Sequence, residues 1–285
     1  MRLLRAYVVF FVTLAISASV DAGEIFTEIF RSETLGRDYK YTVYLPDSYK
    51  KDDKRYPVLY LLHGSGGDEN DWLSKGGARE TMDALIARRL IQPMIVVMPG
   101  HATAWWVDGA NEKGETALIK DVIPHAEHKY RVDSRRGNRI VAGLSAGGYG
   151  SLNLVFKFPG MFAAAAILSP AIYDPVPPSH SSSESNPQFQ KDGKFDSALW
   201  KSLNYVSHIG AYKQSGIIVP LYIHSGDHDT LGIALQAAML YEKLRLHQPD
   251  AVELRIVNGG HEWMLWRDTL SDALQFMSAR IAIRG

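Results

Sequence analysis

Eight short apolar runs of strand length punctuate this chain, and after the third of them most of the gaps carry a helical pattern. That alternation is the strongest constraint on its fold, because strands joined through helices lie parallel in one sheet and need helices over both faces. The runs fall at 26–33, 39–46, 56–63, 94–99, 139–143, 163–169, 219–225 and 252–258. The first two alternate in polarity and sit close together around Gly36, which predicts an antiparallel pair. The third, YPVLYLLH, is apolar throughout, as a strand buried on both faces should be. Amphipathic stretches of helical length occupy 77–91, 115–129, 146–158, 196–208, 230–247 and 265–283. The expectation is an α/β protein built on an eight-stranded, mostly parallel sheet. No internal repeat or linker divides it, so residues 23–285 are expected to form one domain. A Ser/Pro-rich stretch at 174–194 reads first as a solvated loop and second as a lid over a site.

The N-terminus reads as a targeting segment. Arg2 and Arg5 precede the apolar run Ala6–Val20, and small residues surround Ala22, so residues 1–22 are expected to be a cleaved signal peptide. Fifteen residues that include Thr13, Ser17 and Ser19 fall short of the roughly 20 apolar residues that span a bilayer. A secreted or periplasmic protein with no stable membrane insertion follows. The whole chain has 31 basic and 31 acidic side chains. Removing the leader takes two bases and one acid and leaves a charge near −1, with no global field to hold nucleic acid. The absence of cysteine excludes a thiol nucleophile, a disulfide framework and thiolate metal ligation.

Any covalent chemistry must therefore use another nucleophile, and Gly143-Leu144-Ser145-Ala146-Gly147 offers one. A G-x-S-x-G match alone arises by chance in roughly one chain in ten of this length. Its position between an apolar strand and a helical pattern is what raises it, since flanking glycines let a strained turn pass close to neighbouring backbone. Serine needs a base, and the base needs a partner to orient it. His261 follows the eighth run in NGGHEW, and HSGDHDTLG after the seventh offers Asp227 and Asp229. His224, Asp227, His228 and Asp229 can also be read as a metal cluster, but no third-ligand pattern accompanies them. No metal or cofactor is called for. Leu62-His63-Gly64-Ser65-Gly66-Gly67 supplies a glycine-rich loop whose backbone N–H groups could hold an oxyanion, together with that of Ala146.

The order Ser145, Asp229, His261 after the fifth, seventh and eighth strands resembles the α/β-hydrolase fold, and more narrowly the esterase D group of serine esterases. That group includes feruloyl esterases, S-formylglutathione hydrolases, short-chain carboxylesterases and mycolyltransferases. The resemblance is carried by 59–72, 121–132, 142–169, 226–232 and 259–266, and it covers nearly all of the mature chain. It implies Ser145 as nucleophile, His261 as base and Asp229 as orienting carboxylate, because Gly226 and Asp229 satisfy a G-x-x-D pattern that Asp227 does not. It also implies the N–H groups of Ser65 and Ala146 as oxyanion donors. Where relatives often read Pro-Asp-Gly after the fourth strand, this chain has Pro99-Gly100-His101.

The implied activity is hydrolysis of a small-molecule or carbohydrate-linked ester through an acyl-enzyme. The same residues would serve acyl transfer to an alcohol, and a catalytically silent binding module is the alternative of another class. Trp105 and Trp106 stand at the strand-end rim, where they could stack on an aromatic acyl group or a sugar or else pack under the lid, whereas Trp72, Trp263 and Trp266 are expected to pack the interior.

Overall fold

The computed structural model describes residues 22–101 and 105–282. The expected leader lies, but for Ala22, outside the described residues. Eight strands form one sheet: β1 (Glu24–Ser32), β2 (Arg37–Leu45), β3 (Val58–Leu62), β4 (Ile95–Gly100), β5 (Arg139–Leu144), β6 (Ala164–Leu168), β7 (Leu221–Gly226) and β8 (Val252–Val257). Their spatial order is β1-β2-β4-β3-β5-β6-β7-β8. β2 runs antiparallel to both its neighbours, with Glu24 opposite Leu45 and Tyr44 opposite Val96, and every other pairing is parallel. The eight expected strands are therefore present, and Gly36 turns β1 into β2 at a φ of 61° that favours glycine.

Side chains two apart along a strand share a face, and two separate cores result. Val58, Tyr60 and Leu62 of β3, with Val141 and Ile167, join a core completed by the helices Gly114–Ala117, Ile123–Lys129, Ala146–Lys157 and Ile233–Arg245. Leu59 and Leu61, with Ile140, Ala142 and Leu168, face the other way under the helices Ala78–Ala87 and Trp263–Ser278. Between Gly114–Ala117 and Ile123–Lys129 the chain makes a π turn at Leu118–Val122, where Ile123 N–H donates to the carbonyl of Leu118, five residues back. Pro124 explains the widening, since it has no N–H to continue an ordinary ladder.

Two expectations need correction. The helix expected at 196–208 stops at Leu203, and Ile209–Gln214 is a separate helix. Asn204 makes the break: it is extended, and its buried amide donates to the carbonyl of Tyr173 at 2.7 Å. The 174–194 stretch is not a plain solvated loop. It carries a helical turn at Ser182–Ser185, buries Gln188 and Phe189, and ends in a hairpin pairing Gln190–Lys191 with Lys194–Phe195. Gln188 Oε1 accepts from the backbone N–H groups of Asn111 and Glu112, which pins the segment to the loop after β4.

Candidate active site

β5 ends at Leu144 and a helix starts at Ala146, so Ser145 must turn the chain alone, at φ 53° and ψ −115°. Backbone in that region costs on the order of 1–3 kcal/mol and persists only where neighbours hold it. Here they do: Ser145 N–H donates to Leu168 O at 2.9 Å, and its carbonyl accepts from Tyr149 and Ala171. The glycines of the motif have a visible cause. A Cβ on Gly143 would stand 2.4 Å from the backbone of Gly147, and a Cβ on Gly147 would stand 2.4 Å from Leu62 O.

The ends of β7 and β8 converge by the same device, since a Cβ on Gly226 would lie 2.2 Å from Gly259 O. Asp227 N–H donates to Val257 O and His228 N–H to Gly259 O, each at 2.9 Å. Asp227 Oδ1 accepts from Gly259 N–H at 3.1 Å and so braces the turn before His261. Asp229 points inward instead. Its Oδ2 accepts from His261 Nδ1 at 2.7 Å and its Oδ1 from Leu231 N–H at 2.9 Å. With Nδ1 donating, His261 Nε2 is the acceptor for Ser145 Oγ, 3.0 Å away. The Asp229 carboxylate is 0% exposed, whereas that of Asp227 is 48% exposed.

The structure thus brings Ser145, His261 and Asp229 together and disperses the rival metal set. His224 is buried within β7, with both ring nitrogens unpartnered among the described residues, and burial pulls its pKa down to about 4. His228 lies outside with Asp227, 3.1 Å away. Among the described residues, no group of three or more His, Asp or Glu side chains could hold a metal ion.

The loop after β3 lies against the serine, for a Cβ on Gly64 would be 3.5 Å from that of Ser145. Ser65 Oγ accepts from Trp105 Nε1 at 3.2 Å. Ala146, the first residue of its helix, has no intrahelical acceptor for its N–H. Ser145 and His261 open onto a cavity of about 420 Å³, whose lining includes Ser65, Trp105, Tyr173, Trp263 and Trp266. His180, Ser181 and Ser182 also line it, so the 174–194 segment does reach the site.

The tryptophan assignments divide. Trp105 lines the cavity, but Trp106 does not: it is 1% exposed, donates to His63 O at 3.2 Å and fills the space beside Gly150. Trp72 packs the interior as expected and donates to Leu62 O at 3.0 Å. Trp266 is buried in the second core as expected, at 4% exposure, and Trp263 packs against that core half-buried, but both also line the cavity, where Trp266 stands edge-on to His261 at 5.0 Å. The signal for them was present, because residues three apart at the start of a helix share a face, and this helix starts just after His261.

A mostly parallel eight-stranded sheet covered by helices, with Ser145, Asp229 and His261 on the turns after β5, β7 and β8, has the α/β-hydrolase fold. The chain belongs to the Esterase family, described as putative esterases, whose profile matches residues 32–277. A ferulic acid esterase of known structure superposes with a TM-score of 0.79 at 26% identity, over 92% of this chain and 99% of its own. The endo-1,4-beta-xylanase/feruloyl esterase of Xylanibacter ruminicola is 36% identical over 165 residues, which are 55% of this chain and 23% of that protein. An acetyl esterase of Caldicellulosiruptor saccharolyticus is 24% identical over 80% of this chain and 85% of its own length. The chain spans less than a third of the length of the first curated relatives it matches.

Proposed function

We propose that this protein is an exported serine carboxylesterase working through an acyl-enzyme. The observation that carries the reading is the run of hydrogen bonds from Ser145 through His261 to Asp229 at the edge of the cavity. Ser145 Oγ attacks the ester carbonyl carbon while its proton passes to His261 Nε2, and Asp229 stabilises the imidazolium that forms. The carbonyl oxygen, now an oxyanion, is held by the N–H groups of Ser65 and Ala146. Collapse expels the alcohol, which takes the proton from His261. Water then repeats the sequence on the acyl-serine and releases the acid. No cofactor enters any step.

The aromatic lining suits flat or short acyl groups, in keeping with relatives named as feruloyl and acetyl esterases. The 174–194 segment is proposed as a wall that can act as a lid through His180–Ser182. Residues 1–22 are proposed as the cleaved leader and 23–285 as one secreted or periplasmic domain. Among the described residues no helix is long and apolar enough to cross a membrane. Fluorophosphonate labelling tests the nucleophile. Wild type should be labelled at Ser145, and Ser145→Ala should lose both label and hydrolysis of short aryl esters, by up to about 10⁶ in kcat. A folded Ser145→Ala protein within tenfold of wild type would refute the assignment.

A further inference from the structure

The carbonyl of Gly64 and the N–H of Ser65 belong to one planar peptide unit, so whatever orients the carbonyl also aims the amide. Two groups hold that carbonyl: Gly67 N–H at 3.2 Å and His63 Nδ1 at 2.7 Å. On the far side of the same ring, His101 N–H approaches Nε2 at 3.1 Å. A backbone N–H can only donate, so Nε2 is the acceptor, and the proton of the neutral ring must sit on Nδ1, where it donates to Gly64. The ring is 1% exposed, and burial lowers its pKa, which favours this neutral form. Its position is over-determined. The Trp106 ring meets it edge-on at 4.9 Å, and Gly67 packs so closely that a Cβ there would lie 2.8 Å from Nδ1. With both nitrogens engaged and no place in the cavity lining, His63 cannot itself touch substrate.

We propose that His63 is a positioning residue of the esterase reaction: its Nδ1–H sets the tilt of the Gly64–Ser65 peptide and so aims the Ser65 N–H at the developing oxyanion. The proposal rests on the reading of Ser65 as an oxyanion donor given above. Through its backbone N–H, His101 fixes the tautomer of His63. An amide polarised at its carbonyl is also a stronger donor at its N–H. Because the oxyanion exists only in and around the transition state, a mis-aimed donor should lower kcat and leave KM nearly unchanged.

Two amide replacements separate this role from a packing role. His63→Asn places its side-chain N–H₂ where Nδ1 stood and keeps the bond to Gly64. His63→Gln reaches the Nε2 position instead, keeps a partner for His101 N–H and leaves the Gly64 carbonyl to Gly67 alone. Deleting an oxyanion donor costs about 10²–10³ in kcat, and tilting one should cost somewhat less. With p-nitrophenyl acetate, His63→Asn should stay within about fivefold of wild type. His63→Gln should lose roughly 30- to 100-fold in kcat with KM within about twofold, and phenylboronic acid, a tetrahedral adduct former, should bind it more weakly in parallel. Equal kcat in the two variants, a Gln loss confined to KM, or a loss beyond about tenfold in a folded Asn variant would each overturn the proposal. Failure of the esterase reading itself would show separately, as hydrolysis that survives Ser145→Ala.

Discussion

Replacing Asp229 by asparagine should disable the site through a proton rather than through a lost contact. The carboxylate is fully buried and accepts two hydrogen bonds, from Leu231 N–H at 2.9 Å and from His261 Nδ1 at 2.7 Å. An amide has only one oxygen to offer. The backbone N–H of Leu231 cannot change its role, so the amide oxygen stays there and the N–H₂ group faces His261. The imidazole then carries its proton on Nε2, the nitrogen that has to accept from Ser145, and the imidazolium loses its counter-charge. Loss of the useful tautomer costs on the order of 10⁴ in kcat, or about 5 kcal/mol of barrier. Asp227→Asn provides the internal control, because that side chain is half exposed and an asparagine oxygen can still accept from Gly259 N–H. Its kcat/KM should stay within about threefold of wild type. The assay is steady-state hydrolysis of p-nitrophenyl acetate, with circular dichroism to confirm folding. A larger loss for Asp227→Asn, or an Asp229→Asn rate within tenfold of wild type, would refute this account of the proton.

A Cβ on Gly147 would lie 2.4 Å from Leu62 O and 2.6 Å from His63 O, against about 3.4 Å for ordinary contact, so Gly147→Ala must push the serine turn and the loop after β3 apart by roughly 1 Å. It should cost about 10² in kcat and lower the melting temperature, and near-normal rates would show that the turn tolerates the shift. Trp105→Ala should lower kcat/KM for a cinnamoyl ester about two- to tenfold more than for an acetyl ester, and equal losses would mean that the ring only supports Ser65. Buried His224 titrates near pH 4 when folded and near 6.5 when unfolded, with Asp272 opposing the shift. The unfolded chain therefore binds its proton first: the stability is intact above about pH 6.5 and declines as pH falls, by about 3 kcal/mol at pH 4. His224→Leu should flatten that decline in urea titrations, and an unchanged slope would refute it.

What could be read from the chain and what could not divide on physical lines. β3 was legible because five consecutive apolar residues can be satisfied only by two cores, and Val58–Leu62 do alternate between them. The serine turn was legible because its glycines answer to contacts a few residues away. The order β2-β4-β3-β5 was not, since a strand pattern states which faces are buried but not which neighbour lies beside it. The 174–194 segment misled through its average composition, although one aromatic, Phe189, and one amide, Gln188, suffice to anchor it. Choosing Asp229 over Asp227 needed the resemblance, because both residues follow the same strand end. In the structure the choice turns on which carboxylate is drawn into the turn beside Leu231 and which is left to brace Gly259.

The site is held together in two different ways, and the difference bears on how the proposed esterase could change its substrate. Ser145 and His261 are placed by backbone against backbone: Gly143 on Gly147, Gly147 on the carbonyls of Leu62 and His63, Gly226 on Gly259. Contacts of that kind leave no side chain to vary, so almost any substitution there moves Ser145 or His261. The cavity walls are placed by side chains on long connections and a helix start, with Trp105 resting edge-on against Phe189 of the 174–194 segment and Trp263 against Trp266. A ring in such a cluster can be exchanged for one of similar volume at a cost usually below about 1.5 kcal/mol. Changes of acyl or alcohol preference should therefore arise in residues 105, 173, 180–182, 263 and 266, while the glycine contacts stay as they are.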